Sequence, residues 1–161
     1  MRLASLVCAI VALLPFAASA AVGPSNPKEL WVIEPGRMNH AEEILAATLQ
    51  GHVAADSQAR IWIKAGGMSE VLLAEMQNDG VKTHRAGSVW DLVKQFKDKI
   101  DGAIVYKSGD ESVSVATSLC GPKRGIAVDE TLLDRAKAEG LRVIQDVRGM
   151  TEKTAFEKCE S

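Results

Sequence analysis

The sequence is poor in the residues from which recognisable sites are usually built. Of 161 residues, three are histidine and three are cysteine. His40, His52 and His84 stand on separate segments, and no Cys-x-x-Cys or paired-histidine spacing accompanies the cysteines. A zinc centre is therefore not expected. An excess of one charge is missing too. Nineteen Lys and Arg face 21 Asp and Glu with no basic run, which argues against a nucleic-acid partner. No Gly-x-Ser-x-Gly elbow is present to hold a serine nucleophile. Lys64-Ala-Gly-Gly67 lacks the glycine spacing and the Lys-Ser/Thr of a phosphate loop. Nothing calls for a cofactor. Past residue 20 no apolar run approaches the ~20 residues of a spanning helix, so no membrane association is expected after processing.

What is present begins with the N-terminus. Arg2 precedes an almost wholly apolar stretch from Leu3 to Phe16, and Ala18-Ser19-Ala20 follows as a small-x-small site. This pattern is that of a secretory signal peptide over residues 1–20, cleaved after Ala20, and it implies a secreted or periplasmic protein. Cys8 lies inside the apolar stretch without the context of a lipidated cysteine. Cleavage leaves about 140 residues, the size of one domain, able to bury roughly two thirds of its unfolded surface. Residues 21–29, which include Gly23 and Pro27, read as a short linker, and residues 30–161 as one α/β domain. The two remaining cysteines, Cys120 and Cys159, are a candidate disulfide in an oxidising compartment.

Short apolar runs recur at 30–33, 60–63, 102–106, 125–128 and 141–144, with a weaker one at 81–84. Several are rich in β-branched and aromatic residues and too short for helices, so they read as buried strands. Between them Asn39, Ser69, Ser88 and Asp129 stand where helix caps are expected. The segment Gly109–Gly121 alternates like a strand through Val113 and Val115, yet opens acidic and closes on Gly121. Two parallel strands flank it, and a crossover of about a dozen residues or more is required there. It reads as a helix over about 110–120, its hydroxyls on the solvated side and first turn. The architecture expected is a three-layer α/β sandwich with a mainly parallel, Rossmann-like sheet of about six strands. Core packing accounts for Trp31, Trp62 and Trp90 better than a carbohydrate platform does.

Ligands of such sheets gather beyond the strand carboxyl ends. Glu34, Arg37, Asp110, Asp146 and Arg148 are the candidate ligand-binding residues there, beside Lys64, Lys107, Ser108 and Asp129. Asp110 and Asp129 look like caps, and Asp146 is placed to pair with Arg148. No residue is assigned a catalytic role. A glycosidase would need a carboxylate pair, roles into which Glu34 and Asp146 could be pressed.

Leu49-Gln-Gly51, the run from Asp98 to Gly121, and Gly140 to Gly149 resemble the N-terminal domain of the GxGYxYP family of putative glycoside hydrolases. The matching positions are Gly102 and Tyr106, Val115-Ala116-Thr117, and Asp146-Val147-Arg148-Gly149. The chain departs from the family pattern after Gly51, where His52 replaces the usual Asn-Arg. The naming signature is missing, because Tyr106 is the sole tyrosine. The resemblance implies a carbohydrate-processing context, with further hydrolase domains or a carbohydrate as partners, and no catalytic centre within this chain. A free-standing periplasmic small-ligand-binding module and a small secreted hydrolase remain as alternative expectations.

Overall fold

The structure is a computed structural model that describes residues 27–56, 58–64, 67–121 and 124–159. The signal-peptide region and its cleavage site lie outside these residues. Strands and helices alternate as β1 (Glu29–Ile33), α1 (His40–Asp56), β2 (Ala59–Ile63), α2 (Met68–Asn78), β3 (Lys82–Arg85) and α3 (Val89–Gln95). They continue as β4 (Gly102–Tyr106), α4 (Ser112–Ser118), β5 (Gly125–Asp129), α5 (Leu133–Ala138), β6 (Val143–Asp146) and α6 (Glu152–Cys159).

The α/β alternation is as expected, but the single six-stranded sheet is not formed. The strands divide into two parallel three-stranded sheets, ordered β2-β1-β3 and β5-β4-β6. β1 is the central strand of one sheet and β4 of the other, so the order in which those two would be neighbours is not formed. A joint through outer strands is not made at β2 or β5 either, because side chains of α1 meet the outer edges of both.

α1 joins the halves. Its Leu45, Leu49 and Val53 are fully buried in a cluster that takes Ile33 and Ile61 from the first sheet and Ala103, Ile126 and Val128 from the second. Its polar side chains reach the outer edges of both sheets. Gln50 Nε2 donates to the Ile61 carbonyl of β2 at 2.9 Å. Thr48 Oγ1 accepts from Ala127 N of β5 at 3.2 Å, and His52 Nε2 lies 2.8 Å from the Gly125 carbonyl. A strand edge left bare would expose such groups unpaired. Here a helix pairs them.

Local chemistry fixes the helix starts. Asn39 and Glu42 form a reciprocal cap, Glu42 N to Asn39 Oδ1 at 2.9 Å and Asn39 N to Glu42 Oε2 at 3.0 Å. Asp91 Oδ2 accepts from both Gly87 N and Ser88 N at 3.0 Å ahead of α3. Ser69 is not the cap of α2: the helix begins one residue earlier, behind Gly67. The 109–121 segment is helical over Ser112–Ser118, with Val115 and Ala116 buried. Cys120, just beyond α4, and Cys159 in α6 form a disulfide with Cα atoms 5.5 Å apart.

Candidate functional site

The strand-end residues fall into two groups, one per sheet. At the carboxyl ends of β1, β2 and β3, Lys64 pairs with Glu70 and lies 3.6 Å from Glu34. Arg85 reaches Glu34 at 3.6 Å and Glu70 at 3.8 Å. The hydrogen bond between Lys64 and Glu70 raises the Lys64 pKa and lowers that of Glu70. Glu34, Lys64, Gly67 and Glu70 line a shallow cavity of about 410 Å³. Arg37 stands exposed on the turn after β1.

The second group is larger. Lys107, Asp110, Glu130, Asp146, Arg148, Gly149 and Lys158 line a crevice of about 630 Å³ at the carboxyl ends of β4, β5 and β6. Asp110, Asp146 and Arg148 therefore come together, as strand-end positions in one parallel sheet should. Glu34 does not join them, because it belongs to the other sheet. The only pair proposed for acid–base work, Glu34 and Asp146, lines two separate cavities.

Each carboxylate of the crevice has a local partner. Arg148 donates to Asp146 through two guanidinium nitrogens, Nε at 3.0 Å and Nη2 at 2.7 Å, and through its backbone N at 3.1 Å. These bonds hold the Asp146 carboxyl below the usual carboxylate range, against the opposing effect of partial burial. Arg148 also faces Glu130 at 4.0 Å. Asp110 accepts from the Ser112 hydroxyl and from Ser112 N at 2.8 Å, and its pKa is likewise lowered, the hydroxyl bond first among the causes. Ser112 itself is buried and accepts from Lys107 N at 3.0 Å, tying the start of α4 to the end of β4.

Asp129, the last residue of β5, is fully buried. Burial pushes its pKa up, but bonds from the Ser108 hydroxyl and from Thr131 outweigh this and leave it lowered. Thr131 supplies its backbone N at 2.8 Å and its hydroxyl at 2.7 Å. Opposite Asp129 in register lies Tyr106, fully buried, whose hydroxyl has no hydrogen-bond partner among the described residues. Desolvation, and then the charge of Asp129, push the phenol up to about 12.

Tyr106 is the sole tyrosine, so its ionisation can be read directly from ultraviolet absorbance. In the folded protein no phenolate is expected until the pH nears 12, whereas in urea the step should return to about 10. The folded pKa is the higher one. The stability this contributes is thus complete below pH 10 and lost as the pH rises towards 12. A phenolate step near 10 in the folded chain would contradict this placement.

Sequence reasoning missed Glu70, Arg85, Glu130 and Lys158. Arg85 and Glu130 directly end or follow strands, and Glu70 lies in the first turn of α2, so strand-end position was a usable signal. Lys158 reaches the crevice because α6 folds back over the sheet, its Nζ lying 3.4 Å from the Asp146 carbonyl. Among the described residues no group of three or more His, Cys, Asp or Glu is arranged to hold a metal ion.

Comparison with known proteins places this geometry. Residues 29–98 match the model of the GxGYxYP_N first domain, and residues 100–159 match the GxGYxYP_N second domain. The two models meet just before β4, where the first sheet gives way to the second. A solved structure from Bacteroides thetaiotaomicron VPI-5482, described as a putative hydrolase, superposes with a TM-score of 0.75 at 36% identity. The match covers 84% of this chain and 28% of that one, so this chain spans under a third of that relative's length. None of the curated proteins compared is similar to it. The chain belongs to the GxGYxYP family and carries the first and second of its N-terminal domains.

Proposed function

We propose that this chain is a secreted, non-catalytic N-terminal unit of a carbohydrate-processing protein, offering the crevice at the ends of β4, β5 and β6 to a hydroxyl-rich ligand or to neighbouring hydrolase domains. One observation carries the reading. Both carboxylates of the crevice with a shifted pKa, Asp110 and Asp146, are held in their charged form by local donors. A glycosidase acid must instead be kept protonated near neutrality by a raised pKa. Carboxylates held charged, beside Lys107, Arg148 and Lys158, make hydrogen-bonding partners for hydroxyl groups rather than proton donors.

Membership of the GxGYxYP family, beside the likeness to a structure described as a putative hydrolase, supports the carbohydrate context, and the N-terminal pattern of Arg2, an apolar stretch and Ala18-Ser19-Ala20 supports export. The purified chain, assayed against aryl glycosides and polysaccharides, should give no turnover above background. Turnover that disappears in Asp146→Asn or Glu34→Gln would overturn the reading and install the small-hydrolase alternative.

A further inference from the structure

A third cavity, of about 480 Å³, lies along the outer edge of β2, between α2 and Gln50 of α1. Side chains alternate across a strand. Leu30 and Val32 of β1 and Trp62 of β2 share the face that packs on Leu73 and Met76 of α2. α2 does not cover this face fully. Leu73 is 3% exposed, but its neighbour Leu72 is 48% exposed and lines the cavity beside Trp62, which packs against the core as the sequence suggests yet is only partly covered by it.

The rim is polar. Gln50, Arg60, Glu75 and Asp79 surround the apolar floor. Two of them are held in place: Gln50 Nε2 donates to the Ile61 carbonyl at 2.9 Å, and Arg60 Nη1 donates to the Ala59 carbonyl at 2.7 Å. Gln50 thereby keeps its side-chain oxygen as an acceptor, and Glu75 and Asp79 are exposed carboxylates. No acceptor among the described residues takes the Trp62 indole N–H. The volume falls in the roughly 300–1,000 Å³ range of small-ligand sites, and the lining has their usual character, apolar with a few polar groups.

We propose that this cavity binds a neutral sugar, with one face of a pyranose ring against the Trp62 indole and its hydroxyls on the rim. An indole face is electron-rich, and a pyranose presents weakly positive C–H groups on one side and hydroxyls around its edge. The rim offers acceptors for hydroxyl groups that a purely apolar occupant would not engage, the carboxylates of Glu75 and Asp79 and the side-chain oxygen of Gln50. A sugar engages floor and rim together. The site is separate from the β4–β6 crevice. The proposal deepens the carbohydrate-processing reading and rests on it.

The test is titration of the ¹⁵N-labelled chain with oligosaccharides of glucose, galactose, mannose and xylose, following the Trp62 indole resonance, assigned through Trp62→Phe. At least one sugar should shift it saturably at roughly millimolar concentration. Trp62→Ala should weaken binding about tenfold or more, and Asp79→Asn and Glu75→Gln several-fold. The last two are on the surface and keep the test valid if Trp62→Ala fails to fold. Arg148→Ala, in the other crevice, should leave this binding unchanged. Three results would overturn the site: no shift with any sugar, an affinity indifferent to Glu75 and Asp79, or a shift that follows protein concentration alone and so reports a second copy. Loss of binding in Arg148→Ala alone would sink this site while sparing the carbohydrate reading, and glycoside turnover would do the reverse.

Discussion

Replacing Cys120 and Cys159 together by alanine should lower the unfolding free energy by about 4 kcal/mol, the chain-entropy value for a closed loop of 39 residues. The two cysteines are 0% and 2% exposed and lie in one cluster with Tyr106, Val147 and Ala155. The bridge fastens α6 onto α4, and Lys158, next to Cys159, borders the β4–β6 crevice. Its loss should therefore also free the chain's last helix. Urea melts with and without reductant would show the loss as a lower midpoint in the wild type and no change in the double variant. Two free thiols in the unreduced, unfolded chain, or a midpoint indifferent to reductant, would remove the bridge from the account.

The second large effect is expected at Leu49. Its side chain is fully buried where α1 meets both sheets, and truncation to alanine at such a site costs about 3 kcal/mol. The informative part is how the loss is shared. All three tryptophans lie at or before residue 90 and report the first sheet, while Tyr106 reports the second. If the two halves form one cooperative unit, as their common cluster argues, tryptophan fluorescence and tyrosine absorbance should give a single shifted transition. Two transitions, with only the tryptophan signal moved by Leu49→Ala, would show that the halves unfold independently.

What could be read from the sequence follows from the range of each interaction. The runs at 102–106 and 125–128 announce strands because every residue there is apolar or small, and both prove wholly buried. Helix and strand at Gly109–Gly121 were separable only through the distance between the flanking strands, a tertiary argument that the local alternation of Val113 and Val115 opposes. The last strand starts two residues later than the run Leu141–Ile144 suggested, because buried Leu141 is used in the turn after α5. Strand neighbours could not be read at all. Nothing in Leu30–Ile33 says that β2 and β3 flank it, or that α1 meets the outer edge of β2, and the separation of Glu34 from Asp146 depends on such pairings. The Asp146–Arg148 pair was readable because its partners are two residues apart. The Lys64–Glu70–Arg85 group was not, because it needs three elements in register.

The clasp of α1 on two strand edges also bears on how the chain behaves in a crowded solution. Two three-stranded sheets have four outer edges, twice as many as one six-stranded sheet, and each is a template for another chain to add a strand. Two of the four, on β2 and β5, are met by the amide of Gln50, the hydroxyl of Thr48 and the imidazole of His52. The other two are only four residues long. β3 carries Lys82 and Arg85, so copies approaching along it repel, and β6 pairs with β4 through an irregular register at Ala103 and Ile104 that bends it away from a flat ladder. Three polar side chains on one helix, with two short outer strands, thus work against edge-to-edge addition of further chains.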